Sequence, residues 1–314
     1  MNKGRGLLIW VLCLGILWLA YVGGQVHPVA FLLAGVLLPL PVLWVGWRLG
    51  SGAALLLALA TVLVIFLLKP GWSVILENLG FGELLLMGVL IAALQNRGLS
   101  THQAIILTVV GVNLLALLIF LGEAFFAGVG PQALLTQKSQ ELLQTLYRVL
   151  GDTAGEAPGQ IFQDFSQADL EKLVPLLLPG LVVVNSGLVA WINVILARQL
   201  IRLGGGAQPQ PPLFYWSTPE WLIFVLLGAG FLLLVPLTGV RLLSLNLLMV
   251  LALLYFCQGV AVIAAWFNRL GLPPLLRLIA YPLLFLNPLV LLIITLGLMD
   301  LWLDFRRLHQ PKDA

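Results

Sequence analysis

Residues 104–127 have the sequence AIILTVVGVNLLALLIFLGEAFFA, and this stretch decides the class of fold. Its 24 residues include a single charged side chain, Glu123, and a helix of that length spans the roughly 30 Å hydrocarbon core of a bilayer. The bilayer core offers no water to backbone N–H and C=O groups, so the stretch is predicted to cross it as an α-helix.

The rest of the chain has the same character. Charged residues make up 9% of the 314 residues, against about 25% in soluble proteins, and apolar types make up 61%. A soluble fold cannot hide that much apolar surface, which argues against a soluble enzyme, a disordered chain and a coiled coil. The net charge is only +3 and no basic stripe with interleaved aromatic residues is present, so no nucleic-acid partner is expected.

Charge-poor stretches predict an all-α, polytopic transmembrane helical bundle of about nine spans. The predicted spans are 7–22, 28–47, 53–68, 72–94, 104–127, 173–197, 219–237, 243–267 and 278–299. Span two contains Pro39 and Pro41 and is expected to be kinked. Span four contains Glu77, Glu83 and two glycines, so a re-entrant helix there, which leaves eight spans, is the alternative.

One long polar segment, 128–172, separates spans five and six. The helical face predicted to be apolar holds Leu134, Leu142, Leu143 and Tyr147, whereas Lys138 and Glu141 fall elsewhere. This pattern predicts an amphipathic helix over 131–150 that lies on the bilayer or over the bundle. A second short helix is expected to begin near Ser166.

Composition also predicts how the chain is divided. We expect a six-span part over 1–203, which includes the amphipathic extracytoplasmic segment 128–172, and a Gly/Pro hinge over 204–218. A three-span part over 219–303 and a polar tail over 304–314 follow. Span seven is expected to begin at Pro219, with Ser217 or Thr218 as its cap.

The positions of Lys and Arg predict a cytoplasmic N-terminus. With this orientation eight basic residues lie in inner loops, while Lys69 and Arg241 lie in short outer loops. Nine spans then place the tail and its Arg306 outside, against the usual bias. Eight spans place the tail inside but weaken the bias of the other loops.

Three carboxylates fall inside predicted spans: Glu77, Glu83 and Glu123. A charge in the membrane costs about 2.5–3.5 kcal/mol on insertion scales, so such a residue normally faces a cavity or a partner. One interpretation is a substrate or proton site formed by spans four and five. The other is that Glu77 and Glu123 reach the interface, or are neutral and hydrogen-bonded.

Buried amides form a second group of candidate ligand-binding residues: Asn113, Asn185, Asn193 and Gln258. They would line a polar pocket or, as is favoured for each residue singly, link helices at about 0.6 kcal/mol apiece. Motifs for nucleotide hydrolysis, metal binding and nucleophilic catalysis are lacking, and Cys13 and Cys257 lie in apolar runs. We therefore expect no metal, no cofactor and no enzymatic activity.

Several short motifs resemble the YybS-like family of bacterial multispanning membrane proteins. They are Gly80-Phe81-Gly82-Glu83 through Arg97-Gly98-Leu99-Ser100, Pro219-Glu220-Trp221-Leu222, Phe256-Cys257-Gln258-Gly259, and Leu298-Met299-Asp300 with Asp304-Phe305-Arg306. The resemblance implies that family's fold and a multi-pass location in the bacterial inner (cytoplasmic) membrane. It implies no activity, since the family has no established biochemical function.

The first six spans are also similar to the substrate-binding S components of energy-coupling-factor vitamin transporters and to the rod-shape protein MreD. S components bind their ligand within the bundle near the outer face and dock on a transmembrane partner. Their usual Ala-x-x-x-Ala docking face in span one is missing here, where Trp10 to Ala20 offers Cys13, Gly15 and Ala20.

The leading hypothesis is therefore a transporter-like protein of the bilayer that binds a small or lipid-like ligand within spans one to six. Glu83, Glu123, Asn113 and Asn185 would contact the ligand, and the 131–150 helix would be a lid. The alternative is a non-transporting scaffold in cell-envelope assembly, whose polar residues contact one another and which binds membrane-protein partners. A membrane enzyme built on Glu77 and Glu83 is a third hypothesis.

Overall fold

The computed structural model describes residues 3–26, 34–68, 79–154, 167–203, 215–286 and 288–306. Within these ranges the chain forms eleven α-helices and no strand, which confirms the predicted all-α class. The helices are α1 (Lys3–Val26), α2 (Pro39–Leu49), α3 (Ser51–Leu68), α4 (Leu79–Asn96), α5 (Thr101–Ala127), α6 (Pro131–Ala154), α7 (Gln167–Leu203), α8 (Leu222–Leu232), α9 (Thr238–Arg269), α10 (Pro274–Leu283) and α11 (Leu289–Leu303).

Six of these helices are long and apolar enough to cross a membrane, namely α1, α3, α4, α5, α7 and α9. Each coincides with one of the predicted spans. The other three predicted spans contain shorter apolar helices, at Ala34–Leu49, Leu222–Leu232 and Leu289–Leu303. The prediction of a polytopic helical bundle is therefore confirmed.

The predicted kink in span two agrees with the structure, whereas the predictions for span seven and for the helix near Ser166 are wrong. Span two is helical over Ala34–Leu49 apart from a turn at Leu38, and α2 begins after this turn at Pro39. Proline suits this first-turn position, where its missing N–H is not needed. Span seven begins at Leu222 instead of Pro219, and the segment predicted as a separate short helix continues into span six, since α7 is uninterrupted from its first residue, Gln167.

The contacts divide the chain into two compact units, Met1–Leu178 with Asn185–Gln208 and Pro179–Val184 with Pro209–Ala314. In the first unit α2 packs against α3 and α4. A Cβ atom at Gly88 of α4 would lie 2.7 Å from the Pro39 carbonyl oxygen, so only glycine allows this approach. This contact holds α4 against α2 at Gly88, five residues after Glu83.

One end of the first unit brings several helix termini together. Asn96 Nδ2 donates to the Gly46 carbonyl (3.0 Å), which places the end of α4 beside the end of α2. Arg198, near the end of α7, donates to the hydroxyl of Thr101 at the start of α5. Because these termini carry Arg48, Arg97 and Arg198, this is the basic end of the unit.

Glu83 and Glu123 lie at the other end. Thirteen residues separate Glu83 from Asn96 on α4, which corresponds to about 20 Å of helix. Glu123 lies 22 residues beyond Thr101 on α5, or about 33 Å away. Both carboxylates are therefore far from the basic end.

The second unit is built around α9. On the N-terminal half of α9, Leu222 and Ala229 of α8 pack into one cluster with Leu251. On the C-terminal half, Phe267 contacts Tyr281 (ring centroids 5.8 Å apart) and Phe256 contacts Phe285 (5.2 Å), so the chain runs back along α9 from α10 onward.

The single helix predicted over 278–299 is wrong, because α10 ends at Leu283 and α11 begins after Pro288. Proline lacks an N–H donor and disfavours helix in the residue before it, which explains the break. The last helix then runs parallel to α9: Trp266 contacts Phe305 (6.0 Å between centroids), and Arg269 Nη1 donates to the Phe305 carbonyl (3.1 Å). The chain therefore returns to the end of α9 from which α10 started.

Candidate functional sites

A cavity of about 340 Å³ lies between α3, α4 and α5 in the first unit. Its lining is apolar apart from Gly82, Glu83 and Glu123. The volume is within the range of small-molecule sites, which combine an apolar wall with a few polar groups. The structure thus brings two of the predicted site residues, Glu83 and Glu123, to one cavity.

Glu83 is half-buried on the first turns of α4. No described residue forms an ion pair with its carboxylate, in contrast to Glu123, which pairs with Lys138, and Asp300, which pairs with Arg306. The carboxylate lines a predominantly apolar space, so its charge is available to a group that enters the cavity.

Glu123 differs because it has a partner. Lys138 Nζ on α6 lies 2.7 Å from Glu123 Oε1, and the two side chains are 41% and 46% exposed. The ion pair joins α6 to the edge of the cavity. The helix is amphipathic as predicted: Leu134 and Leu143 are buried, although Leu142, predicted on the same face, is 47% exposed.

The amides of the first unit do not line this cavity. Asn113 Nδ2 donates to Ser186 Oγ (2.7 Å) and so links α5 to α7. Asn193 Nδ2 donates to the Val36 carbonyl (2.6 Å) and to the Val189 carbonyl (2.7 Å).

Asn185 also falls outside the lining of the cavity. Asn185 is exposed on α7. Glu77 lies outside the residues that the structure describes.

The remaining candidate, Gln258 of α9, lies in a buried polar cluster of the second unit. Its Oε1 accepts hydrogen bonds from the backbone N–H (3.0 Å) and the hydroxyl of Thr218, and its Nε2 donates to Asp300 Oδ2 (3.1 Å). Gln258 is fully buried, and Thr218 is 3% exposed. The prediction that Thr218 or Ser217 caps α8 is therefore wrong, since Trp221 precedes the helix and Thr218 bonds to α9.

Asp300 and Arg306 complete the buried polar cluster, which comprises Thr218, Gln258, Asp300 and Arg306. Arg306 donates to Asp300 Oδ2 from Nε (2.9 Å) and Nη2 (2.6 Å), and from Nη1 to the Trp216 carbonyl (2.5 Å). The two side chains are 2% and 3% exposed. Among the described residues Asp300 Oδ1 has no hydrogen-bond partner.

Sequence reasoning missed this ion pair because both residues lie at the end of a span or in the tail. Such positions are normally interfacial, and basic residues there were used only to orient the chain. The available signal was the set of motifs around Gln258, Asp300 and Arg306, which the fold brings together. Arg306 is thus packed into the second unit, although it belongs to the segment predicted as a polar tail.

Two glycines allow the buried polar cluster to form. A Cβ atom at Gly259 would collide with the Ile293 carbonyl, and one at Gly297 would collide with the Tyr255 carbonyl. Helices α9 and α11 therefore touch backbone to backbone, as small residues permit in membrane proteins. This contact places Gln258 within hydrogen-bond reach of Asp300.

A family model described as "Predicted membrane protein (DUF2232)" matches residues 14–301. The chain belongs to this family. No curated protein and no solved structure matches it. Membership agrees with the helical bundle and its apolar helices, and makes the chain a membrane protein with several membrane-embedded helices. The description of the family names no reaction, so the function has to be argued from the sites.

Proposed function

We propose that the protein binds a small or lipid-like ligand in the cavity between α3, α4 and α5, in the manner of a transporter. The observation that supports this most is the carboxylate of Glu83, which has no ion-pair partner among the described residues and lies on a predominantly apolar cavity wall. A carboxylate within a membrane span is costly and is therefore usually functional. On the cavity wall the Glu83 carboxylate can contact a ligand, whereas in a tightly packed helix interface it could not.

The orientation of the first unit supports a ligand that enters from outside. Basic residues concentrate on the cytoplasmic side of membrane proteins. We therefore place the basic end of this unit, with Arg48 and Arg97, in the cytoplasm of a bacterial cell, as the YybS-like resemblance implies. The cavity then faces the outer side of the inner membrane, where α6 and its Lys138–Glu123 contact can serve as a lid.

We assign a separate role to each of the two parts expected from the sequence. Residues 1–203, which resemble the S components of vitamin transporters, would contain the ligand site. Residues 219–303 would be a membrane-embedded accessory part, in which the buried polar cluster joins Gln258 and Asp300 to the flanking residues Thr218 and Arg306. The proposal needs no cofactor, because recognition by an apolar wall and a carboxylate requires none.

A variant that fills the cavity tests the proposal. Ala116 lines the cavity on α5, whereas Leu118 on the same helix is 66% exposed and faces away from the protein. Purified Ala116→Trp is expected to lose the small molecules that co-purify with the wild-type protein, as measured by mass spectrometry. Leu118→Trp, which adds the same indole elsewhere, is expected to retain them. Equal amounts in both variants would contradict the proposal.

A non-transporting scaffold in envelope assembly is the second candidate. It is favoured by the amides, since Asn113, Asn193 and Gln258 bond to neighbouring elements instead of lining the cavity. This candidate predicts a stoichiometric membrane-protein partner that co-purifies equally with the wild-type protein and with Ala116→Trp. Loss of that partner in the cavity variant would argue against it.

A further inference from the structure

The lining of the cavity between α3, α4 and α5 contains one carboxylate, that of Glu83, to which no described residue supplies an ion-pair partner. We propose that its ligand is a hydrophobic organic monocation, a molecule with an apolar body and a single amine or onium group. This inference rests on the proposed function and specifies its ligand class. It follows from the charges, the wall and the size of the cavity.

The sign of the ligand follows from the pairing of the two carboxylates. Lys138 neutralises Glu123 at 2.7 Å, whereas the described part of the chain supplies no ion-pair partner to Glu83. The net charge of the lining and its attached lysine is therefore −1 when Glu83 is ionised. An opposite charge that enters such an apolar space is attracted much more strongly than in water.

The donor set favours an organic cation over a metal ion. Calcium takes six to eight oxygen ligands, and magnesium demands near-octahedral oxygen coordination. Among the described residues the cavity lining offers one carboxylate without an ion-pair partner, that of Glu83, and no cluster of three potential metal-ligating side chains is found. An ammonium or onium group needs only one counter-charge.

The walls specify the rest of the molecule. Phe66, Leu86 and Phe120 are among the apolar side chains that line the space. An aromatic ring face also attracts a cation within about 6 Å of its centroid. A cavity of about 340 Å³ accommodates a compact hydrophobic body, so a bare inorganic ion or a polar sugar would leave most of the wall without a partner.

A matched pair of probes separates charge from shape. Tetraphenylphosphonium and tetraphenylborate have the same four phenyl groups and opposite charges, and benzyltriethylammonium supplies a smaller cation. We expect the full-length protein in uncharged detergent to bind at least one cation saturably in equilibrium dialysis. Tetraphenylborate is expected to bind at least about tenfold more weakly, as loss of an interaction with a charged group implies.

The variants test whether Glu83 is the counter-charge. Glu83→Gln is expected to weaken cation binding at least about tenfold, and Glu83→Asp is expected to restore part of it. Glu220→Gln removes an exposed carboxylate in the second unit and is expected to change nothing. Absence of binding by both cations, or equal binding by Glu83→Gln and the wild-type protein, would overturn the inference.

The cavity variant distinguishes failure of this inference from failure of the proposed function. If tetraphenylborate binds as tightly as the cations and Ala116→Trp abolishes that binding, the cavity is a ligand site but not a cation site. If Ala116→Trp leaves the binding of every probe unchanged, the probes do not enter the cavity, and both the ligand class and the proposed function are wrong.

Discussion

The two units hold carboxylates of the same chemistry in opposite states. In the second unit Asp300 receives hydrogen bonds from Arg306 and Gln258 at the tight α9–α11 contact and is almost fully buried. In the first unit Glu83 lines a cavity and has no ion-pair partner among the described residues. A membrane protein can thus neutralise a charge internally or leave it for a ligand. In the first arrangement the counter-charge is supplied within the fold, and the second is the arrangement that we propose to serve a ligand.

The largest expected effect concerns the side of the membrane on which the chain ends. After α9 the chain first runs back along that helix, and α11 then runs parallel to it. We therefore expect the last predicted span, 278–299, not to cross the membrane as a whole, which leaves eight crossings and places the C-terminus on the side of Arg269. A reporter fused after Ala314 should agree in location with one inserted at Gly271. A reporter between α8 and α9, at 233–237, should give the opposite side. Opposite locations for Ala314 and Gly271 would show that the last span crosses.

This placement removes the conflict that the sequence left open. With nine crossings, Arg306 is on the outer side, against the usual distribution of basic residues. With the chain folded back after Pro288, Arg306 joins Arg269 and Arg277 at one end of the second unit. Eight crossings was also the alternative in the sequence analysis, but there span four was the exception, whereas this prediction makes the last span the exception.

The next effect is on stability. Arg306→Ala leaves Asp300 as a buried charge without its counter-ion, and we expect it to lower the free energy of unfolding by about 3–5 kcal/mol. Unfolding by denaturant in mild detergent measures this. Arg241→Ala, at an exposed arginine of the same unit, is the control. The double variant Asp300→Leu with Arg306→Leu should lose much less than Arg306→Ala, and a double loss equal to the sum of the single losses would contradict the ion-pair account.

A smaller loss is expected from the glycine contact beneath the buried polar cluster. Gly297→Ala introduces a Cβ atom that collides with the Tyr255 carbonyl and forces α11 away from α9. We expect a loss of about 1–3 kcal/mol in the same unfolding experiment. Gly230→Ala on α8, where a Cβ atom meets nothing within 4 Å, should not destabilise. Equal losses in both variants would point to helix propensity and not to the contact.

The sequence predicted the first unit better than the second, for a physical reason. A long apolar stretch must form a helix in a bilayer, so α5 and the amphipathic α6 follow from local composition. Glu83 and Glu123 stand out because charge is rare in such stretches. Asp300 and Arg306 do not stand out, because hydropathy is averaged over a window of about 20 residues, and such a window hides the break at Pro288. These two residues become a buried ion pair only because the chain folds back after Pro288.

The smallest effect is also the sharpest test of the comparison between the two units. Because Glu83 has no ion-pair partner among the described residues, Glu83→Gln removes an unfavourable charge and breaks no ion pair. We expect the free energy of unfolding of the ligand-free protein to rise by about 0.5–1 kcal/mol, as is common when a functional group is neutralised. Asp300→Asn makes the same chemical change in the second unit and should destabilise, since Arg306 then loses its counter-charge. If both substitutions destabilise to the same degree, Glu83 has a structural partner, and the cavity does not hold a free charge.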